Sequence, residues 1–409
     1  MAVTALSIFS FNNDTNTVDL VGSTSNNQCN VNKLRGFERL LKVGVLIDLN
    51  TKIALRVDAS EKIGTGHFMR CLALANTLSE EGCTLHFVSR SLPYHLQVEV
   101  KSRGFGLTIL GGVTDDQLRG ELFHSEWLGV SQSQDAVGTI DALKGVIWDW
   151  LIVDHYSLDC FWERKLRSSV KKILAIDDIA DRNHDCDVLV DQNLYADMRT
   201  RYLGKVSPDC LLLLGPKYAL LRKEFKRMRI QVSPRIGKIK KILVFFGGVD
   251  SENCTGASIR VLSELMLPEV HVDVVIGAQH PSRNQIETEC IKYGFDFYIQ
   301  TDRMAELMAA ADLAIGAGGS ACWERCCLGL PSMLVSLAAN QINIAKTLDE
   351  LKAAKYLGFS VDVILSKMGS AILDLLSNSK CMEIMSNSAY SLVDGLGTER
   401  VASIILRDL

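Results

Sequence analysis

From Lys52 onward, short apolar segments alternate with helical patterns, and this alternation strongly limits the possible folds. The segment at 146–153, VIWDWLIV, is apolar at nearly every position, as in a strand covered on both faces of a sheet. Further apolar segments of this first series lie at 53–57, 84–88, 173–176 and 188–190. Such strands separated by helices predict a parallel sheet in an α/β domain.

The alternation repeats in the second half of the chain. Its apolar segments lie at 242–246, 272–276, 297–299, 313–315 and 332–335. Between the two series, residues 222–240 are strongly basic and contain Pro234, which marks a boundary. We therefore predict two doubly wound domains, at 52–228 and 241–409, joined by a basic linker at 229–240. In such folds the ligand binds in the crevice at the carboxyl ends of the strands.

The first 51 residues do not show this alternation. Residues 12–34 are rich in Asn, Ser and Thr and bury too little apolar surface to offset the entropy of ordering them. We expect a disordered leader at 1–51. It has no basic segment typical of a signal peptide, and no run of eighteen apolar residues follows, so we expect a cytoplasmic protein without membrane association.

Composition excludes several classes of function. The net charge of −4 does not favour nucleic-acid binding, which needs a basic surface. The twelve cysteines include no CxxC pair, and their number as free thiols indicates a reducing compartment. Cys322, Cys326 and Cys327 come nearest to a cluster but have no His or Asp at ligand spacing, so we expect neither a metal nor another cofactor.

The first candidate motif joins the first predicted strand to the first helix. It contains His67 together with Arg56, Asp58, Gly64, Gly66 and Arg70, which are predicted to bind the substrate. Glycines permit close backbone approach, and a helix start offers N–H groups to an anion. A dinucleotide fingerprint requires a third glycine, which is missing here, so a nicotinamide cofactor is disfavoured. The helix dipole favours a neutral His67, which makes it a candidate general base. A capping or core histidine is the alternative.

Polar residues also follow two other strands of the first series. Asp154-His155-Tyr156 ends the most apolar strand, and Tyr156 is a candidate for substrate contact. Asp154 either contacts the substrate or caps the next turn. Asp177-Asp178 ends the following strand. This carboxylate pair indicates either a metal site or a turn, and no third ligand lies near it in sequence.

Two glycine-rich loops follow strands of the second series. Gly247 and Gly248 precede a helix start and suit a diphosphate. Gly318, Gly319 and Ser320 also precede a helix. Both loops are therefore predicted to bind substrate.

Two further residues of the second half are candidates for nucleotide contact. Glu324 lies one turn inside the helix that follows Ser320, where a carboxylate can accept hydrogen bonds from a ribose diol; a surface position is the alternative. Asn340, next to Gln341, could contact a base or sugar, and a plain turn is equally consistent with the sequence.

Together, these motifs resemble the UDP-2,4-diacetamido-2,4,6-trideoxy-β-L-altropyranose hydrolases of pseudaminic acid biosynthesis. Asp191-Gln192-Asn193 and the segment 215–222, GPKYALLR, contribute to the resemblance, which runs in order from residue 52 to 409. It implies a GT-B-like fold, related to the N-acetylglucosaminyltransferase that makes lipid II, with two Rossmann-like domains facing a central cleft.

The resemblance also implies an activity. His67 would activate water for attack at the anomeric carbon, and UDP would leave with inversion. Tyr156 would orient the sugar or water, while Glu324, the Gly318–Ser320 loop and Asn340 would hold the nucleotide. UDP is a good leaving group, so this hydrolysis needs a base but no strong general acid. One cleft histidine without a carboxylate dyad fits that requirement.

Two alternatives remain open at this point. A glycosyltransferase of the same fold would use an acceptor hydroxyl instead of water, and a non-catalytic protein would only bind the sugar nucleotide. Assaying UDP release without an acceptor separates all three. We expect a monomer whose partner is a small UDP-sugar.

Overall fold

The computed structural model describes residues 51–112 and 122–407, together with two strands near the N-terminus. These strands, β1 (Phe9–Asn12) and β2 (Thr17–Leu20), pair antiparallel. Residues 1–47 form one unit and residues 48–409 another. Most of the predicted leader at 1–51 lies outside the described residues.

The first half contains a seven-stranded parallel sheet. Its strands are β3 (Lys52–Val57), β4 (Thr84–Ser89), β5 (Gly106–Ile109), β6 (Trp148–Asp154), β7 (Val170–Ile176), β8 (Val188–Asp191) and β9 (Leu211–Leu214). They lie side by side in the order β5-β4-β3-β6-β7-β8-β9. In the register of β3 and β6, Val57 lies opposite Asp154, so the first two candidate motifs leave the sheet at the same edge.

The second half contains a six-stranded parallel sheet. Its strands are β10 (Lys241–Phe245), β11 (His271–Ile276), β12 (Asp296–Ile299), β13 (Leu313–Ala317), β14 (Ser332–Ser336) and β15 (Lys355–Phe359). Their order is β12-β11-β10-β13-β14-β15. The two sheets confirm the prediction of two parallel α/β domains.

Thirteen helices lie within the part of the chain that the structure describes. They are α1 (Gly66–Glu80), α2 (Tyr94–Ser102), α3 (Gln132–Leu143), α4 (Cys160–Leu166), α5 (Lys223–Arg229), α6 (Cys254–Glu264), α7 (Arg283–Tyr293), α8 (Met304–Ala310), α9 (Ala321–Cys327), α10 (Ala339–Glu350), α11 (Gly369–Ser377), α12 (Ser379–Leu392) and α13 (Gly397–Arg407). Short turns of 3₁₀ helix occur at Ser125–Trp127 and Pro216–Tyr218, and a π turn at Ile364–Met368.

Both faces of each sheet are covered. Ile53 and Leu55 of β3 belong to one apolar cluster, and Ala54 between them belongs to a second cluster on the opposite face. Because consecutive strand residues point to opposite faces, this burial explains why the central strands are apolar without alternation.

The last helix, α13, returns to the first half of the molecule. Val401 and Ile405 are buried in the same apolar cluster as Leu55 of β3. Thr398 Oγ1 donates a hydrogen bond to the carbonyl of Leu221 at 3.0 Å. A side chain at Gly397 would place its Cβ 2.3 Å from the Ala219 carbonyl oxygen. The chain therefore crosses between the halves twice.

The basic linker is docked onto the second half. The Arg235 guanidinium donates to the carbonyls of Ala311, Met308 and Ala309 near the end of α8. The carbonyls at a helix end lack partners within the helix and carry partial negative charge. Arg235 therefore serves as a helix cap as well as a linker residue.

Candidate functional site

His67 and Asp154 form a hydrogen-bonded pair where β3 and β6 end. His67 is the second residue of α1, and Asp154 is the last of β6. His67 Nδ1 lies 2.6 Å from Asp154 Oδ1. Burial opposes ionisation of Asp154, but Arg70 and His67 outweigh it and hold its pKa below the usual range. An ionised Asp154 requires the hydrogen on Nδ1, which leaves Nε2 of neutral His67 able to accept a proton.

Arg70 fixes the carboxylate that orients His67. It lies one turn after His67 and donates from Nε and Nη2 to the two oxygens of Asp154, at 2.6 and 2.7 Å. Its Nη1 donates to Asp178 Oδ2 at 2.7 Å. The bidentate contact with Asp154 has the geometry that arginine favours with carboxylates. Arg70 thereby ties the end of β6 to the end of β7.

Tyr156 contacts His67 through its ring, and its hydroxyl is hydrogen-bonded to Asp178. The hydroxyl donates to Asp178 Oδ1, and burial together with Asp178 raises the pKa of Tyr156. The ring packs edge-on against His67, with 4.6 Å between centroids. This arrangement suits a residue that positions the His67 ring. The expected role of Tyr156 in orienting the sugar or water stays a prediction.

An aromatic group that the sequence did not reveal surrounds the same histidine. Trp127 stacks on Tyr156 at 5.5 Å between centroids, and His124 lies 4.3 Å from Trp127. Burial lowers the pKa of His124. The cluster of aromatic residues in FHSEW, at 123–127, is a signal that could have pointed to this group.

Arg56 and Asp58 lie beneath the site, in contrast with the predicted substrate contact. Their side chains are 0% and 1% exposed. Arg56 donates to Asp58 at 2.7 Å and to Asp135 at 2.8 Å, and Asp58 also accepts from the backbone N–H of Arg90. With these groups paired and buried, the two residues support the loop that leads to α1.

The Asp177-Asp178 pair is divided between two arginines. Asp177 accepts from Arg182 Nη1 at 2.8 Å, whereas Asp178 accepts from Arg70. Asp177 also accepts from the backbone N–H of Ala180 at 2.9 Å. Among the residues that the structure describes, no group of three or more His, Cys, Asp or Glu side chains could hold a metal.

A cavity of about 370 Å³ lies between the two halves, a size typical of small-molecule sites. Eight of the predicted site residues line it: Gly64, Gly66, Arg70, Gly247, Gly248, Gly319, Ser320 and Glu324. The halves approach closely here, since a Cβ on Gly66 would lie 3.3 Å from Ser320 Oγ. A Cβ on Gly248 would likewise lie 3.3 Å from Thr65 Oγ1.

The two glycine-rich loops offer different groups to the cavity. Gly247 has a φ of +102°, which glycine adopts without strain. The next helix, α6, is capped internally, because Asp250 accepts from the N–H groups of Cys254 and Thr255. Ser320 makes no side-chain capping bond to α9. The Gly247 loop backbone and the Ser320 hydroxyl are therefore available to a ligand in the cavity. The N–H groups at the start of α6 are not, because they already donate to Asp250.

Glu324 brings a carboxylate to the cavity wall. Its side chain is 20% exposed, and Arg222 Nη2 lies 3.6 Å from its Oε1. Burial raises the pKa of Glu324, and Arg222 partly opposes this effect. Arg222 also lines the cavity. Arg222 belongs to the segment GPKYALLR that contributes to the family resemblance, but no role was predicted for it.

The remaining predicted residues do not line the cavity. They are Arg56, Asp58, His67, Asp154, Tyr156, Gly318 and Asn340. His67 nevertheless lies directly after lining residue Gly66 and one turn before lining residue Arg70. Asn340 is exposed, and its neighbour Gln341 lines the cavity instead.

Other lining residues were missed by sequence reasoning. Gln300, Thr301 and Asp302 come directly after β12. They follow the rule that ligands bind beyond the carboxyl ends of parallel strands. Applying that rule to the predicted segment 297–299 would have found them. In the described part of the chain, no helix has the length and apolar character needed to cross a membrane.

Residues 242–399 match the family model for the glycosyltransferase family 28 C-terminal domain. An uncharacterised protein of Methanocaldococcus jannaschii is 25% identical over 293 residues, covering 69% of this chain and 55% of that protein. The chain thus spans about half the length of this archaeal relative.

Two further relatives carry functional names. The UDP-2,4-diacetamido-2,4,6-trideoxy-β-L-altropyranose hydrolase of Campylobacter jejuni is 25% identical over 272 residues, covering 66% of this chain and 85% of that protein. The spore coat polysaccharide biosynthesis protein SpsG of Bacillus subtilis is 28% identical over 218 residues, covering 53% of this chain and 63% of that protein.

Solved structures show the fold. MurG of Acinetobacter baumannii superposes with a TM-score of 0.56 at 14% identity, covering 87% of this chain and 99% of that chain. UGT2 of Phytolacca americana gives a TM-score of 0.61 at 10% identity, covering 88% and 99%. The protein therefore has the GT-B fold of these structures, and residues 242–399 of its second half are similar to the glycosyltransferase family 28 C-terminal domain.

Proposed function

We propose that this protein hydrolyses UDP-2,4-diacetamido-2,4,6-trideoxy-β-L-altropyranose to UDP and the free sugar, with inversion at the anomeric carbon. The observation that carries the proposal is the His67–Asp154 pair beside the cavity between the two glycine-rich loops. The similarity to the Campylobacter jejuni hydrolase, over 85% of that protein, supports this choice of reaction and sugar.

His67 is the general base in this proposal. Its Nε2 accepts a proton from water while the water oxygen attacks the anomeric carbon. The bond from that carbon to the UDP oxygen breaks, and UDP takes the electron pair. Asp154, 2.6 Å from Nδ1, stabilises the imidazolium that forms. A single displacement of this kind inverts the configuration.

Groups of the second half hold the departing nucleotide. UDP leaves without strong acid assistance, so stabilisation of the diphosphate charge is the main requirement. The Gly247–Gly248 backbone and the Ser320 hydroxyl, which line the cavity, are the donors assigned to this role. Glu324 accepts hydrogen bonds from the ribose hydroxyls.

Arg70 acts on the reaction through Asp154. By donating to both of its oxygens, Arg70 keeps Asp154 ionised and aimed at His67 Nδ1. Asp178 in turn accepts from Arg70 and from the Tyr156 hydroxyl. Arg70, Asp178 and Tyr156 are positioning residues, because they act on the orientation and tautomer of His67 without reacting themselves.

A glycosyltransferase is the second candidate, and the aromatic group favours it. Trp127 lies 6.2 Å from His67 between centroids, and the nearby Phe123 is 85% exposed. Aromatic surfaces of this kind could receive an acceptor larger than water. His67 would then deprotonate an acceptor hydroxyl.

The deciding experiment omits any acceptor. Purified protein is mixed with the UDP-sugar in buffer, UDP release is followed by coupled assay, and the sugar anomer is followed by proton NMR. Hydrolysis predicts one UDP per free sugar, with the inverted anomer appearing first. If the UDP-sugar binds but UDP is released only after an acceptor alcohol is added, the hydrolase proposal fails and the transferase replaces it.

A further inference from the structure

Two thiols meet at the edge of the first sheet, apart from the cavity between the halves. Cys186 Sγ and Cys210 Sγ are 3.6 Å apart, although the residues are 24 positions apart in sequence. Each lies just before a strand, and the two strands, β8 and β9, are neighbours. The backbone N–H of Leu211 donates to the Asp187 carbonyl at 2.9 Å, which holds the two segments together.

Both cysteines lie at the wall of a cavity that is separate from the one between the halves. They line a second cavity of about 500 Å³, whose wall also contains Arg167, His184 and Lys205. Cys186 is buried and Cys210 half-buried. Cys186 belongs to an apolar cluster of the first half, and Cys210 packs against this cluster, so the half-buried Cys210 is the more accessible thiol of the pair. A small polar oxidant can therefore enter the cavity and reach the pair.

We propose that Cys186 and Cys210 are an oxidisable dithiol that a hydroperoxide converts to a reversible disulfide, fastening edge strand β9 to β8. Sulfur atoms in van der Waals contact must approach by only about 1.6 Å to reach the bonded distance of roughly 2.05 Å. The site is independent of the proposed hydrolysis, since neither sulfur lines the cavity between the halves.

The order of the reaction follows from the local charges. The hydrogen bond from the Cys186 thiol lowers the pKa of Cys210, and the same contact raises the pKa of Cys186. Burial disfavours a charged His184, but Glu163 and Asp177 outweigh it and raise its pKa to about 9. The positive ring of His184 therefore favours a thiolate at Cys210, and a thiolate is the reactive form.

Two steps complete the chemistry. The Cys210 thiolate attacks one oxygen of hydrogen peroxide, breaking the O–O bond and forming a sulfenic acid and hydroxide. The Cys186 thiol then attacks that sulfur, the S–O bond breaks, and the departing oxygen leaves as water. Hydrogen peroxide is reduced to two waters and the two thiols are oxidised to one disulfide.

The bond would restrain a strand that leads to the cavity between the halves. After β9 the chain passes through Gly215, whose N–H donates to the Asp191 carbonyl, and reaches Arg222 in the cavity wall. An edge strand is paired on one side only, so it opens more readily than a central strand. A cross-link should slow that opening and raise Tm.

The test is controlled oxidation of the full chain. Wild type and the variants Cys186→Ser, Cys210→Ser and Cys381→Ser are treated with hydrogen peroxide, acid-quenched, alkylated and mapped by mass spectrometry. Cys381 is also only half-buried, so its variant is the matched control. In wild type and Cys381→Ser we expect a 186–210 cross-linked peptide and a mass about 2 Da below that of the two reduced, unalkylated peptides. Dithiothreitol should reverse both.

The single-cysteine variants distinguish a pair from an isolated reactive thiol. Cys186→Ser should leave Cys210 as a sulfenic acid that dimedone traps, and Cys210→Ser should leave Cys186 as an alkylated thiol. Wild-type protein in which both thiols remain alkylated, or in which Cys381 is oxidised first, overturns the proposal. So does a cross-linked protein whose Tm equals that of the reduced form.

Discussion

The two walls of the cavity between the halves consist of different kinds of residue. On the first half, Arg70 lines the cavity, and behind it the buried carboxylates of Asp154 and Asp178 both pair with Arg70 next to His67. On the second half, the wall consists of glycines, Ser320 and one half-buried carboxylate, Glu324. The first wall fixes the orientation of a side chain, whereas the second leaves backbone groups accessible.

This difference separates two tasks of the proposed reaction. A general base must be held in one tautomer and one direction, which requires paired partners that do not move. A nucleotide with many oxygens can be bound by short groups that allow close approach. We therefore expect substitutions in the first wall to reduce turnover and those in the second to weaken UDP binding.

His67→Asn provides the strongest test of this division. Removing the base should lower turnover about 10²–10⁴-fold, while UDP affinity and Tm stay near wild type because the second wall is intact. His95→Asn, at an exposed position, is the control and should leave all three unchanged. Turnover, calorimetric UDP affinity and Tm are measured on the same preparations. A well-folded His67→Asn protein with normal turnover would remove His67 from the mechanism.

Glu324→Ala tests the second wall. Loss of a charged hydrogen bond to ribose should weaken UDP binding by roughly 1.5–3 kcal/mol. Turnover at saturating substrate should change less than in His67→Asn. Isothermal titration calorimetry with UDP measures the effect, with Glu264→Ala, at an exposed position, as control. An unchanged dissociation constant would mean that Glu324 does not contact the nucleotide.

Gly277→Ala tests whether the shape of the Gly247–Gly248 loop matters. A Cβ at residue 277 would lie 1.9 Å from the Gly248 carbonyl oxygen, so the loop must move. Such crowding costs about 1–3 kcal/mol, and we expect UDP affinity to fall with it. Gly111→Ala is the control, because its Cβ would meet nothing within 4 Å. Equal UDP affinities in the two variants would contradict the assignment of this loop.

Asp191→Asn tests the cost of burying charge in the first half. Burial, with Asp178 adding, raises the pKa of Asp191 to about 7, whereas an unfolded aspartate titrates near about 3.9. The folded protein therefore keeps a proton that the unfolded chain loses. The stabilisation from this group is complete below about pH 4 and is lost as pH rises towards about 7.

Asparagine cannot lose that proton, so the variant should show a flatter fall of Tm between pH 4 and 7. Thermal unfolding at half-unit pH steps measures the slope. Asp209→Asn, at an exposed position in the same half, should keep the wild-type slope. Parallel curves for Asp191→Asn and wild type would show that Asp191 is ionised in the folded protein.

Interior strands were predicted more completely than edge strands. All ten predicted apolar segments correspond to strands, and nine of these strands have a neighbouring strand on each side. Three strands of the two parallel sheets were not predicted, namely β5, β9 and β15, and all three are edge strands. Two of them, β5 (GLTI) and β15 (KYLGF), lack the continuous apolar run that identifies a strand covered on both faces. The third, β9 (LLLL), is apolar throughout but only four residues long, and a short apolar run does not by itself distinguish a strand from a helix.

The sequence by itself determined the two parallel sheets, the helix that carries His67 and the glycine loops, because these features depend on local periodicity and backbone freedom. Only the tertiary structure decided how the charges pair. Arg70 and Asp178 are 108 positions apart, and Arg56 and Asp135 are 79 apart. The sequence shows such side chains but not their partners, since pairing depends on which strand ends and helices the fold brings together. The same reason explains why α13 was not expected to pack against the first half.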